Sequence, residues 1–366
     1  MARPKVLLLG SYGRGNVGDD AFLIAAAQLF DRFDLIINSA DDRLLPLEVK
    51  GRVTTISTAT GIDVIGKILL LLEVKYVVYG GGDLWVELYG DRFPRQSLYK
   101  MALLNFGARL LGKKVFYVGC GAGALKGWSL WLARFSGYLA NYVITRDNET
   151  ARLLRLRRHV TLPDLTILLP HRAASSHSPA TPKNIGLSVM YYIPEPLSSF
   201  RPYLKSLARF VESAIVEYGV RFKLMPMLFS DDPYNDIWAS RELISALSSS
   251  GRDRMELVPI KSYNDFREAL EDIDFMVSTR LHGNILSILD GVPSIGIAYR
   301  PKIARFFQGS GLQSDFVTLD SIEDLGRKFE KAFLNFPEHK KAVEHVRQNL
   351  LSSTNVYRDF VKKWMV

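Results

Sequence analysis

VSTRLHGNILSILDGVPSIGIAYRPK, Val277 to Lys302, holds two strand ends and the helix between them. The apolar run Phe275 to Val277 reads as the end of a buried strand that delivers Arg280 and His282 to its carboxyl tip. Gly283 follows, and Asn284 to Leu289 reads as an apolar helix. Ser294 to Ala298 reads as the next strand, ending in Tyr299, Arg300, Pro301 and Lys302. In open α/β sheets, ligands bind outside the carboxyl ends of the strands. Two successive strand ends therefore place Arg280, His282 and Lys302 on one rim, beside Gly283 and a helix N-terminus. Two fixed cations, an imidazole and a helix N-terminus suit a small dianion or trianion. The competing reading is structural: Arg and Lys after a strand also serve as solvated caps, and a lone His also serves packing.

Outward from this stretch, the same alternation fills the chain. Strands are expected at Lys5 to Gly10, Leu35 to Asn38, Val53 to Ile56, Tyr76 to Tyr79, Val115 to Val118 and Tyr142 to Thr145. Helices are expected at Asp20 to Phe30, Ile62 to Leu72, Ser97 to Leu111 and Trp128 to Leu139. Strands alternating with helices imply a parallel sheet covered on both faces. The composition then shifts at HRAASSHSPATPK, His171 to Lys183, which reads as a linker. The pattern restarts with a strand at Ile185 to Val189, a helix from Phe200 to Glu217 and a strand at Phe222 to Met227. From Ile322 onward the chain is mostly helical. The expected organisation is an α/β chain of two Rossmann-like domains: 1–170, a linker 171–183, 184–335, and C-terminal helices 336–366.

Gly13-Arg14-Gly15-Asn16-Val17-Gly18 follows the first strand and precedes a helix. Formally it is the dinucleotide fingerprint G-x-G-x-x-G, with Asp41 placed as a ribose carboxylate. Asp19 and Asp20 argue against a pyrophosphate there, because two carboxylates would share its dipole field. They also read as ordinary acids of a helix start. The functional alternative is a sugar site, in which Asn16 and Asp19, beside flexible glycines such as Gly18, grip hydroxyls and Asp19 or Asp20 takes a proton. Gly80 to Gly82 with Asp83, and Gly119, Gly121 and Gly123, place flexible backbone at other strand ends, either as turns or for close approach of a ligand. Asp83 and Glu87 are candidates to line an acceptor groove. Arg146 ends the strand Tyr142 to Thr145, either as an exposed residue before a capped helix or as a cation facing the Arg280 group.

Composition narrows the classes. The 366 residues suffice for two domains, and 48% hydrophobic with 23% charged residues is ordinary for a globular protein. No uncharged apolar run approaches the roughly 18 residues a membrane span needs. Val6 to Leu9 is too short for a signal core. One cysteine, Cys120, has no partner for an internal disulfide and fits a reducing compartment, so a cytoplasmic location is expected. The net charge of +9 is compatible with nucleic acid, an anionic membrane or an anionic substrate. Arg152, Arg155, Arg157 and Arg158 cluster at helical spacing, as a solvated face or as attraction to a membrane surface. No RNA-binding signature appears, and neither His159, His171, His177, His339, His345 nor Cys120 shows zinc-site spacing.

STRLHG with DGVPSIGIAYRPK, the opening GSYGRGNVGDDA, and VITRDNETARLL in the centre together resemble the signatures of the polysaccharide pyruvyl transferase family, in that order and across almost the whole chain. The resemblance implies a GT-B-like arrangement of two Rossmann-like domains facing a cleft. It also implies transfer of pyruvyl from phosphoenolpyruvate to a sugar of a cell-envelope or exopolysaccharide glycan, free or lipid-linked, as a ketal. On that reading Arg146, Arg280, Lys302 and Gly283 bind the donor, His282 protonates it, and Asp19 or Asp20 assists as base. Asn16, Gly18 and Asp83 face the acceptor. Asp164 matches an Asp of the family. No metal or cofactor beyond the donor is implied, no nucleic acid is expected, and association would be peripheral at the inner face of the membrane. Two other readings stay open: a GT-B glycosyltransferase using a nucleotide sugar, and a non-catalytic module for anionic glycan or membrane.

Overall fold

A computed structural model describes residues 3–57, 63–87, 96–172, 181–191, 197–230 and 235–365. The chain divides into two units, each on its own parallel sheet. Met1–Arg14, Asp19–Leu169 and Ser353–Val366 form the first; Gly15–Gly18 and Pro170–Ser352 form the second.

The first sheet contains β1 (Lys5–Tyr12), β2 (Asp34–Ser39), β3 (Val53–Ser57), β4 (Tyr76–Gly80), β5 (Asp83–Trp85), β6 (Lys114–Ala122), β7 (Tyr142–Thr145) and β8 (His159–Thr161). Its order is β3-β2-β1-β4-β6-β7-β8, with β5 paired to β6. Around it lie α1 (Val17–Leu29), α2 (Asp63–Glu73), α3 (Gln96–Leu110), α4 (Gly127–Leu139) and α5 (Asn148–Leu154). Every residue of β4 is buried, as expected of a parallel strand covered on both faces. Tyr79 stacks on Tyr117 at 4.6 Å between centroids, and Trp85 stacks on the other side at 4.4 Å. The strand order reverses between β1 and β4. Phe22 of α1 fills the region beside that reversal: a Cβ added to Gly81 or Gly119 would approach its ring to 2.9 Å. Packing against Phe22, rather than a ligand, accounts for these two glycines.

The second sheet contains β9 (Asn184–Ser188), β10 (Arg221–Leu224), β11 (Met255–Leu257), β12 (Phe275–Ser278), β13 (Ser294–Ala298) and β14 (Phe316–Thr318). Its order is β11-β10-β9-β12-β13-β14, so the direction of winding switches between β9 and β12. Its helices are α6 (Leu197–Tyr218), α7 (Asp236–Ala246), α8 (Ser249–Arg252), α9 (Tyr263–Leu270), α10 (Leu281–Leu289), α11 (Pro301–Gly309), α12 (Leu325–Leu334) and α13 (Phe336–Ser352). α10 is buried nearly all round because it lies between β12 and β13 on one side and α13 on the other.

Several elements differ from the sequence reading. The strand expected to reach Met227 stops at Leu224. Beyond it the chain pairs with the N-terminal motif instead: Val17 N donates to Met227 O at 2.9 Å and Phe229 N to Gly15 O at 2.8 Å. Gly15–Gly18, expected in the N-terminal domain, therefore belong to the second unit. The helix expected from Asn284 begins at Leu281, which places His282 and Gly283 in its first turn. The C-terminal helices are divided. α13 stays with the second unit, where Arg347 Nε donates to Leu289 O at 2.7 Å. α14 (Thr354–Trp364) belongs to the first, where Phe360 meets Phe116 edge-on at 5.5 Å and Tyr357 donates to Pro163 O at 2.7 Å. Of the expected linker, 173–180 lies outside the described residues. His171 and Arg172 sit in the second unit against the Asp290 carboxylate, at 3.4 and 3.2 Å.

Candidate functional site

The carboxyl rim of the second sheet is built around the end of β12, beside the switch point where open α/β sheets form their ligand crevice. Ser278 Oγ accepts from Arg280 N at 3.0 Å and donates to Arg280 O at 2.9 Å. The fully buried Asn284 side chain donates to Ser278 O and Arg280 O at 3.2 and 2.9 Å and accepts from Ser294 Oγ at 2.7 Å. These bonds pin the turn and set Arg280 at the N-cap of α10, with no capping bond from its side chain. Gly283 packs tightly: a Cβ there would strike Ser278 Oγ and come within 3.0 Å of Met227 Sδ. Its place is packing of the helix against the strand ends.

Arg280 is held by Asp236. Its Nε and Nη2 donate to the two carboxylate oxygens at 3.0 and 2.6 Å. Asp236 is fully buried and also accepts from Met227 N and Leu228 N at 3.0 and 3.1 Å. The carboxylate thus fixes the plane of the guanidinium and ties it to the segment that pairs with Gly15–Val17. At the next strand end, Arg300 and Lys302 flank the Tyr299 ring at 5.6 and 5.8 Å from its centroid. Lys302 occupies the first turn of α11.

The N-terminal motif meets this rim at His282. Gly18 lies so close that an added Cβ would fall on Nδ1, Cγ and Cβ of the imidazole. The chain has glycine here because the ring covers the backbone. Asn16 Oδ1 accepts from Gly18 N at 2.9 Å, capping the start of α1. The structure therefore brings Asn16, Gly18, Arg280 and His282 into one unit, with Lys302 on the neighbouring strand end.

Other candidates lie in the first unit. Arg146, expected as an open cation, has a side chain only 7% exposed. Its Nη2 is 2.5 Å from Asp83 Oδ1 and its Nη1 3.8 Å from Asp164 Oδ2. Burial opposes its charge, and the two carboxylates more than offset that, so its pKa is raised. Arg146, expected to bind the donor, and Asp83, expected on the acceptor side, thus lie together with Asp164 in a buried ion triad. Ser129 Oγ donates to Glu87. Asp41 accepts from Arg43, which holds its carboxyl down to about 2.

Asp20 is buried in the first turn of α1, while Asp19 beside it is half-buried. Burial first, then Asp19 and Glu48, push the Asp20 carboxyl up to about 8. A carboxyl tuned toward neutrality is suited to proton transfer. The folded value lies above the ordinary 3.8, so the folded protein keeps this proton where the unfolded chain has released it. That contribution to stability is complete below about pH 4 and is lost as pH rises toward about 8. Asp20→Asn removes the titration. The variant is expected to be more stable than the parent, with an advantage that grows between about pH 5 and pH 8 by up to roughly 4 kcal/mol. Denaturant melts across that range measure it, and a pH-independent difference would refute the assignment.

The sequence matches the family model for polysaccharide pyruvyl transferase over residues 16–301. The chain belongs to the polysaccharide pyruvyl transferase family. It is accordingly a transferase of polysaccharide biosynthesis. The match begins at Asn16 and ends at Pro301, so it includes the contact between Gly18 and His282 and stops one residue before Lys302. No curated protein matches the chain. Among solved structures, the fold resembles HepE of Anabaena in complex with UDP-glucose, at 12% identity over 98% of this chain and 99% of that one, TM-score 0.65. It also resembles a putative UDP-N-acetylglucosamine 2-epimerase of Listeria monocytogenes, at 14% identity over 94% and 91%, TM-score 0.62. A third likeness is a glycosyltransferase of Rickettsia africae, at 11% identity over 99% and 98%, TM-score 0.59. These likenesses establish the fold: two parallel-sheet α/β units of the GT-B type with a helical C-terminal tail.

Asp236 is the residue of this pyruvyl transferase that sequence reading passed over. It opens a helix, where carboxylates are common, and in the sequence it follows Asp231 and Asp232 closely, with nothing local to separate it from them. Tyr203, whose hydroxyl is 2.7 Å from Thr279 Oγ1 behind the β12 end, was equally unmarked.

Proposed function

We propose that the protein transfers the pyruvyl group of phosphoenolpyruvate to two hydroxyls of a glycan sugar, closing a ketal. The observation that carries this reading is the contact of Gly18 with His282, which joins the two family motifs beside Arg280 on the second sheet's rim. The donor carries a phosphate and a carboxylate. Arg280, oriented by Asp236, and Lys302 supply cations for them, and the N-terminus of α10 adds its dipole. His282 gives a proton to the methylene carbon, which becomes the methyl group. A sugar hydroxyl then bonds to the resulting oxocarbenium carbon while its proton returns to His282, and the bond from that carbon to the phosphate oxygen breaks, releasing inorganic phosphate. A second hydroxyl completes the ketal, and its proton goes to a base, for which Asp19 and Asp20 are the candidates. The reaction needs no cofactor beyond the donor.

A nucleotide-sugar donor is the second reading, because solved structures of similar fold are described with UDP-glucose. Thermal melting separates the two: stabilisation by phosphoenolpyruvate supports the first, and stabilisation by UDP alone overturns it. Arg280→Lys keeps a charge but loses the planar fork. It is expected to raise the apparent KM for phosphoenolpyruvate roughly 10- to 100-fold, the worth of a charge-assisted hydrogen bond. Donor kinetics equal to the parent's would remove Arg280 from the site.

A further inference from the structure

The first unit carries a face that the transfer chemistry does not use. α3 and α4 pack against each other, and α2 packs beside α3. Helix positions turned to water are ordinarily polar. On α3 the outward stripe is instead Tyr99, Leu103, Phe106 and Leu110, spaced one helical turn apart, with Leu110 71% exposed. On α4 it is Trp128, Trp131 and Tyr138, at 62%, 53% and 69% exposed. Phe135 stacks on Trp131 with 5.4 Å between centroids. α2 adds the exposed Leu69 and Leu72. The stripe on α3 is about 17 Å long at 1.5 Å per residue.

On α3 and α4 themselves the charge has one sign; the acids beside them are Glu73 at the end of α2, paired with Lys5, and Glu87, which accepts from Ser129. From Gln96 to Thr145 the chain has no Asp or Glu, but it has Lys100, Arg109, Lys113, Lys114, Lys126 and Arg134. At the C-terminal ends of α3 and α4 a cavity of about 320 Å³ is lined by Arg109, Arg134, Arg155, Arg157 and Arg158 around Tyr138. The Arg157 guanidinium lies 5.8 Å from the Tyr138 ring centroid. Some of these cations are favoured simply by the helix C-termini. That does not explain why exposed Trp, Tyr and Leu side chains lie among them. Trp and Tyr beside Arg and Lys are the composition of a bilayer interface, where ring bodies enter the apolar edge and cations meet phosphates. A symmetric dimer through the same face would set the cations of α3 and α4 against those of its own copy.

We propose that the α2–α3–α4 face docks on an anionic phospholipid bilayer. Trp128, Trp131, Leu110 and Tyr138 enter the headgroup layer, and the arginine-lined cavity takes lipid phosphates. Among the described residues no helix is long and apolar enough to cross a membrane, so the attachment is peripheral. This inference goes beyond the transfer reaction and does not depend on which donor is used.

The test is sedimentation of the full chain with vesicles of phosphatidylcholine alone and of phosphatidylcholine mixed with phosphatidylglycerol. Binding is expected to the mixed vesicles, with a blue shift of tryptophan fluorescence, and to be weak on phosphatidylcholine. Arg155→Ser, Arg157→Ser and Arg158→Ser combined should lower partitioning on the order of 100-fold, since each cation near an anionic surface is worth roughly fivefold. Trp128→Ser with Trp131→Ser should weaken binding with little change in melting temperature, because both rings are more than half exposed. Equal binding to neutral and anionic vesicles overturns the proposal, as does unchanged binding by both variants. A concentration-dependent dimer abolished by the tryptophan changes, without vesicle binding, would assign the face to a second copy of the chain and overturn it as well.

Discussion

His282→Gln is expected to lower kcat by about 100- to 10,000-fold, the usual worth of a general acid, with donor affinity and thermal stability close to the parent's. The product of pyruvyl transfer has a methyl group where the donor has a methylene, so a proton must reach carbon. Guanidinium and ammonium groups are poor acids near neutrality, which disqualifies the side-chain types of Arg280 and Lys302. His282 is the imidazole on the same rim, in the first turn of α10 and against Gly18. Gln retains polar atoms and similar bulk at this half-buried position, so the loss should appear in kcat rather than in KM or folding. Reaction in heavy water should place one deuterium in the ketal methyl. A variant with the parent's kcat would move the acid role to another group, and a methyl without solvent deuterium would exclude delivery by any exchangeable side chain.

The rim was legible because buried parallel strands read as uninterrupted apolar runs, and the residues after them fall at predictable ends. Phe275–Ser278 and Ser294–Ala298 therefore placed Arg280 and Lys302 correctly at adjacent strand ends. The start of α10 was not legible. It is set by Ser278 and Asn284 bonding to the backbone between them, and Asn284 is itself held by Ser294 from the next strand. The strands β5 and β8 have three residues each, too short to show a period. The N-terminal motif followed a strand and opened a helix, which is the local grammar of a nucleotide loop. Its membership in the second unit comes from pairing with Met227 to Phe229, a long-range contact that no local pattern encodes. The partners of Arg146 were not legible for a related reason. A strand-end arginine reads as solvent-facing unless its partners are known, and Asp83 and Asp164 come from other elements.

Arg146→Met should therefore destabilise the protein by about 3–5 kcal/mol, the cost of leaving buried charges without their partner. The side chains of Arg146, Asp83 and Asp164 are 7%, 10% and 2% exposed. Methionine fills much of the volume but supplies no charge and no donor, so two carboxylates would remain in a low-dielectric interior. Asp164 is additionally fixed by Thr166, whose N and Oγ1 donate to its Oδ1 at 3.1 and 3.0 Å, so it cannot turn out to water without breaking the cap of the following turn. Asp83 is the partner to neutralise. Asp83→Asn placed on the Arg146→Met background should restore roughly 1–3 kcal/mol, a coupling of the size found for side chains in direct contact. Chemical denaturation of the parent, both single variants and the double variant measures it. A loss below about 1 kcal/mol, the range of an exposed ion pair, would mean that Arg146 is solvated. A normal melt with a raised donor KM would then restore it as a donor ligand at the strand end.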